Sequence, residues 1–135
     1  MKIPEFYSDL LSSAGPTTLS VIAKDGHIQS SLVWSDFDGE FVKINLLIGS
    51  PKEKNIRREG KASILVMHRT NENIYISLRC ELVQITQEGA IEHLNEITQR
   101  NVNVNEWYGG MEPLDSPSKG MRAIVYLRPI HAYYT

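Results

Sequence analysis

Two lysines two positions apart, Lys52 and Lys54, stand in the opening turn of GSPKEKNIRREGK, the stretch from Gly49 to Lys61. Ser50 is a favoured N-cap, Pro51 fits the first helical position, and Glu53 three residues after the cap completes a capping-box spelling. Gly60 supplies the left-handed residue that ends many helices. The spacing therefore predicts a helix from about Pro51 to Glu59. A helix start exposes unpaired N–H groups and a partial positive charge, so two ammonium groups beside it make a seat for a phosphate. The stretch holds five basic and two acidic residues in a chain of formal net charge −2. Such a local excess suits one anionic ligand group better than a polynucleotide, which needs contacts spread over a broad basic face. A solvated connector between two strands would carry the same capping signals, so the helix alone leaves both readings open.

Other chemistry-bearing residues are less organised. His27, His68, His93 and His131 are scattered without metal-ligand spacing, and no metal site is expected. Cys80 falls on the apolar face of a strand and reads as a packing residue. Ser12-Ser13 and Ser30-Ser31 lack the G-x-S-x-G context of a serine nucleophile, and no catalytic acid or base stands out. At 135 residues the chain reads as one domain, 1–135, with a single core. Its 41% hydrophobic and 22% charged residues are ordinary globular values. One cysteine excludes a disulfide framework and points to a reducing, cytoplasmic setting. The opening MKIPEFYSDLL does not spell a signal peptide, and no window approaches the ~18 apolar residues of a membrane span.

The elements that must position the lysines follow from periodicity. Pro4–Ser13 predicts a brief helix with Phe6, Leu10 and Leu11 on one face, broken by Gly15-Pro16. Thr17–Ala23 alternates as a strand with Leu19 and Val21 on one side. The turn Lys24–His27 leads to a second strand, Ile28–Ser35, making a hairpin. Asp36–Gly39 predicts the next turn and Glu40–Leu47 the third strand. After the basic helix, Ala62–Met67 is a nearly unbroken apolar run, as expected of a strand covered on both faces. Ile74–Ile85 alternates over a long stretch and blurs near its end, where a bulge is expected. Thr86 is a candidate cap for a helix to about Arg100, with Ala90, Ile91, Leu94 and Ile97 as its buried stripe. Asn101–Lys119 is irregular and carries Trp107, Tyr108 and Met111; a loop this long in a small domain usually covers something. Met121–His131 closes the chain as a strand. The fold class is mainly β: six antiparallel strands in a small, nearly closed barrel with short flanking helices.

Four stretches resemble the split-barrel flavoprotein family of pyridoxamine 5′-phosphate oxidase, in its branch of small proteins that bind FMN or the deazaflavin F420. These are the hairpin turn Lys24-Asp25-Gly26-His27, then Ser31-Leu32-Val33-Trp34 before an Asp-Gly turn, similar to S-P-V-W. Gly49 to Arg58 is similar to G-R-P-K-x-R-N-L-R-R, and Lys61 to Val66 to R-V-A-L-L-V. The likeness covers about residues 14 to 85, and the helix signature is its specific part. It implies a six-stranded antiparallel split barrel and a homodimer with two cofactor sites between the subunits. The cofactor is FMN or, alternatively, F420. Lys52, Lys54 and Asn55 match positions that hold the cofactor phosphate. Ser31, Leu32, Val33 and Trp34 match the strand along the ring, and Asn45 and Leu46 the strand end that borders the cofactor. Tyr75 and Arg79, or Trp107 and Tyr108, are candidates to complete the partner's pocket. Trp34 reads equally as a core aromatic, and Arg57 and Arg58 as solvated or dimer-facing.

The chain departs from the pattern at Leu46, where threonine is common, at Leu32 for proline, at Ser50 for arginine and at Cys80 for glycine. The implied activity is hydride transfer between the bound (deaza)flavin and a small-molecule substrate, with no nucleic-acid or membrane partner. The loss of polar donors keeps a non-catalytic cofactor or small-ligand binder as the alternative. A nucleic-acid or partner-binding barrel is disfavoured by the acidic balance.

Overall fold

A computed structural model describes residues 1–13 and 15–135; Ala14, where the resemblance begins, lies outside the described residues. Helix α1 (Glu5–Ser12) precedes the hairpin β1 (Thr17–Ile22) and β2 (Ile28–Val33), then β3 (Ser35–Phe37) and β4 (Val42–Leu47). Helix α2 (Pro51–Glu59) leads to β5 (Lys61–Met67) and β6 (Tyr75–Thr86). Helix α3 (Ala90–Val102), a 3-10 turn (Pro117–Met121) and β7 (Arg122–Tyr134) complete the chain.

Among the described residues seven strands form one antiparallel sheet in the order β2-β1-β5-β6-β7-β4-β3. Its two edge strands, β2 and β3, are consecutive in the chain and separated by Trp34 alone. The sheet must therefore curl until its edges meet at that residue, a barrel with a split in place of the last ladder. The expected strand Ile28–Ser35 is in fact two strands on opposite edges, which raises the strand count from six to seven. The expected turn at Asp36 begins two residues later. Asp36 and Phe37 are buried in β3, with Asp36 directly opposite Lys43. The reversal is made by the Asp38 carboxylate, which accepts from the Glu40 and Phe41 N–H groups (2.9 and 2.7 Å).

Other elements depart in detail. β5 alternates between buried and open positions, with Leu65 exposed, so its outer face is not covered within one chain. α3 starts at Gly89 rather than Thr86, whose hydroxyl instead accepts the Glu88 N–H (3.2 Å). The expected bulge in β6 is present between Leu82 and Gln84, with another between Arg79 and Cys80. β7 runs on to Tyr134, paired with β6. α2 has the bounds its caps predict, ending at Gly60 with φ 71°.

The barrel interior is filled by alternating side chains of several strands, among them Leu19, Ile44, Ile64, Ile76, Leu78 and Leu127, with Ile56 of α2 and Leu11 of α1. Burying each such side chain contributes ~1.5–3 kcal/mol. Cys80 lies in this core as a free thiol, and burial pushes its pKa up to about 12. A second, smaller cluster packs Leu94, Ile97 and Tyr108 against Trp34 and Trp107. The split and this second cluster meet at Trp34.

Candidate functional site

A cavity of about 270 Å³ opens beside the split. Leu32, Val33 and Trp34 line it from the strand junction, Asn45 and Leu46 from β4, and Lys52 from α2. Leu94 and Ile97 of α3, Trp107 and Arg122 complete its wall. A larger open cleft of about 540 Å³ shares Leu32, Val33, Trp34 and Trp107 with it and extends over Gly15, Pro16, Thr17, Arg69 and Asn101. The two spaces thus run along the same strand end, one beside two cations and the other mostly apolar. Ser31 lies one residue before this wall, pairs with Leu19 and lines neither space.

The three residues read as a phosphate clamp part company on α2. At about 100° per residue, Lys52 and Lys54 stand some 200° apart and leave different sides of α2. Lys52 is half-buried at the cavity, whereas Lys54 is exposed and does not line it. Asn55 is buried: its Oδ1 accepts from Arg58 (3.0 Å), and its Nδ2 stands 3.5 Å from Gln29 Oε1. Arg58 also donates to the Ile22 carbonyl (2.8 Å), so the pair ties α2 to the β1–β2 hairpin. The helix start serves its own capping. Ser50 Oγ accepts the Glu53 N–H (3.4 Å), while the Glu53 carboxylate accepts the Gly49 N–H and the Arg57 guanidinium (2.8 Å each). The Gly49 N–H, then Arg57, hold the Glu53 carboxyl below its usual range against the effect of burial. This buried carboxylate offsets the helix dipole, and the positive charge at the cavity comes from side chains.

Below the cavity lies a polar cluster absent from the sequence reading. Asn45 Nδ2 donates to the Ala90 carbonyl (2.8 Å) and stands 3.2 Å from His93 Nδ1, which must accept and so leaves the imidazole proton on Nε2. His93 Nε2 is 3.9 Å from Asp36 Oδ2, and Asp36 also meets Arg100 (3.2 Å) and Lys43 (3.4 Å). Burial pushes the His93 pKa down to about 4, against Asp36 and with help from Lys43 and Arg100. Burial pushes Asp36 the other way, but Lys43, Arg100 and the Phe37 N–H outweigh it and hold the carboxyl below its usual range. Among the described residues, Asn45 Oδ1, His93 Nε2 and Trp107 Nε1 are buried without a hydrogen-bond partner. Two of these three atoms belong to residues on the cavity wall.

The loop before β7 is equally organised. Arg122 Nε donates to Tyr108 Oη (3.0 Å), its guanidinium lies 5.4 Å from the Trp107 ring, and Nη2 is 3.8 Å from Glu112 Oε1. Glu112 Oε2 accepts the Ser116 and Ser118 hydroxyls (2.9 Å each), which hold its carboxyl below the usual range. The long irregular loop signalled that Trp107 covers something, whereas nothing in the sequence singled out Arg122. Among the described residues neither space is lined by a carboxylate, histidine or cysteine. Among the described residues no three His, Cys, Asp or Glu gather as a metal site needs, and no helix is long and apolar enough to cross a membrane.

No family model matches the chain, and no curated protein matches it. Solved structures do. An F420 reductase superposes with a TM-score of 0.80 at 22% identity, covering 97% of this chain and 98% of its own. An FMN-binding protein from Syntrophomonas wolfei gives 0.62 at 15%, covering 96% and 88%. A Listeria innocua protein provisionally assigned as a pyridoxamine 5′-phosphate oxidase gives 0.67 at 14%, covering 93% and 92%. The chain has the split-barrel fold of these structures. In this split barrel the elements supplying Trp34, Asn45, Leu46 and Lys52 converge because β2 and β3 abut without pairing. α3 and the Trp107 loop then roof the gap.

Proposed function

We propose that this chain binds a phosphate-bearing flavin-type cofactor, FMN or alternatively F420, and acts as an oxidoreductase on a small molecule. The observation that carries this reading is Lys52 at one end of a continuous wall, Leu32 to Trp34, that leads into the larger apolar cleft. Fold neighbours named as an F420 reductase and an FMN-binding protein support it. The residues suit such a group. The buried Asn45 Oδ1, left without a partner, offers an acceptor to a ligand N–H. When bound, the ring supplies the hydride-transfer chemistry. The chain's own part is to neutralise the phosphate with Lys52, to present backbone and apolar side chains along the strand end, and to exclude water with Trp34 and Trp107. Titration of the purified protein with FMN and with F420, followed by cofactor fluorescence, tests this. Lys52→Ala is expected to weaken binding by about 10- to 100-fold, the value of one charge-assisted hydrogen bond. Failure of both cofactors to bind at micromolar concentration would overturn the reading.

We also assign the outer sheet face to a second copy of the chain. Strand register sets Leu32, Thr18, Leu65, Ser77 and Tyr133 in one row across β2, β1, β5, β6 and β7. Leu32, Leu65 and Tyr133 are exposed (78%, 39% and 57%), and Leu32 also lines both spaces. A partner laid on this row would close the cleft. Sedimentation at micromolar concentration is expected to show a dimer that Leu65→Asp converts to a folded monomer. A monomeric parent chain would remove the assignment. The second reading, a binder without turnover, is favoured by Leu46, which brings no hydroxyl to the wall. Turnover of an electron acceptor with reduced cofactor decides between them.

A further inference from the structure

We propose that Arg122 is the second cation of the anion seat and that Glu112 is the counter-ion a phosphate displaces from it. The inference rests on the reading above that the cavity receives a phosphate. Lys52 and Arg122 are the two cations on the wall, and they reach it from different elements. Arg122 pairs with Leu47 across the β4–β7 ladder, and the Ile48 N–H donates to the Met121 carbonyl (2.8 Å), so the end of β4 fixes its root. The Arg122 side chain is 11% exposed, too deep for a solvated arginine. Its Nε edge is committed to Tyr108 Oη, and its Cζ lies over the Trp107 ring, 5.4 Å from the centroid.

The Nη edge is different. Among the described residues its ionic neighbour is Glu112 Oε1 at 3.8 Å, beyond hydrogen-bond distance, while Ser116 and Ser118 hold that carboxylate by its other oxygen. A guanidinium carries five donors in a planar fork that matches phosphate bidentately. A nearly buried guanidinium left with a long, imperfect ion pair is costly unless something better completes it. Asn45 commits its Nδ2 to Ala90 and Leu46 has no side-chain donor, so Lys52 and Arg122 carry the charge the cavity can offer.

The test uses the full chain, with Arg122→Ala, Arg122→Lys and Glu112→Gln, each checked for folding by circular dichroism. FMN and riboflavin are titrated by flavin fluorescence; if F420 is the cofactor, the pair is F420 and its chromophore without the phosphodiester tail. Inorganic phosphate is titrated by tryptophan fluorescence, since Trp107 lies against the guanidinium. Arg122→Ala should weaken FMN and phosphate by about 10- to 100-fold and leave riboflavin within twofold. Arg122→Lys should fall between, and Glu112→Gln should tighten both anions severalfold. Equal losses for FMN and riboflavin, or an unchanged ratio, would overturn the role of Arg122. If Arg122→Ala does not fold, Arg122→Lys and Glu112→Gln decide by the same ratio, and weaker anion binding by Glu112→Gln refutes the counter-ion. A parent chain that binds no flavin yet binds phosphate in an Arg122-dependent way would sink the proposed function and leave this inference standing.

Discussion

Asp36→Ala is expected to destabilise the protein by about 3 kcal/mol at pH 7, near the lower end of the cost of breaking a buried ion pair. The Asp36 side chain is 11% exposed and faces Lys43 and Arg100, whose side chains are 19% and 33% exposed. Removing the carboxylate leaves the Lys43 ammonium with little water. Arg100 can turn outward, which keeps the cost near the lower bound. Asp36→Asn should cost less, since its amide oxygen can still accept the Phe37 N–H now bonded to Asp36 Oδ1 (2.8 Å). The consequence reaches the cavity: Arg100 lies in α3, and α3 also carries Leu94 and Ile97 to the wall. Cofactor affinity should therefore fall in parallel with stability. Urea unfolding measures the first effect, and a loss below about 0.5 kcal/mol, typical of a surface pair, would show the cluster to be solvated.

His93 is expected to make the fold sensitive to mild acid. Above pH 6.5 the imidazole is neutral in both folded and unfolded chains, and its burial costs nothing in protonation. Between pH 6.5 and about 4 the unfolded chain takes up a proton that the folded chain refuses, because burial has lowered the folded pKa to about 4. Stability is thus complete above the unfolded pKa and falls through this window, by up to about 3 kcal/mol at its lower end. The groups facing the ring are Asp36, Lys43, Arg100 and Asn45; of these only Asp36 favours the proton. His93→Gln should flatten the profile between pH 6.5 and 4. Asp36 and Glu53, both held below their usual range, lose their contributions only at lower pH, as the medium passes through their folded values. Equal slopes for parent and His93→Gln in urea titrations from pH 7.5 to 4.5 would refute the assignment.

Local signals were legible where a few neighbouring residues carry the whole instruction. Ser50, Pro51, Glu53 and Gly60 determined α2 to the residue, because caps and left-handed glycines act within one turn. Alternation determined the buried faces of β1 and β6, because the pleat repeats every two residues. Similar locality explains two misreadings. Ile28–Ser35 reads as one strand since nothing near Trp34 announces that the two halves pair with opposite edges of the sheet. Asp36 reads as a turn residue because its partners Lys43, His93 and Arg100 lie up to 64 positions away.

By itself, then, the sequence determined a mainly β chain with one capped basic helix, the register of apolar positions, and Lys52 as a cation beside a strand end. Only the tertiary structure decided that Lys52 and Arg122 line one cavity, that Lys54 and Asn55 do not line it, and that His93 is buried beside Asn45. The physical reason is separation. Periodicity and capping are settled by contacts a few residues apart, while a site at a barrel split depends on which distant strands pair and where the curled edges meet.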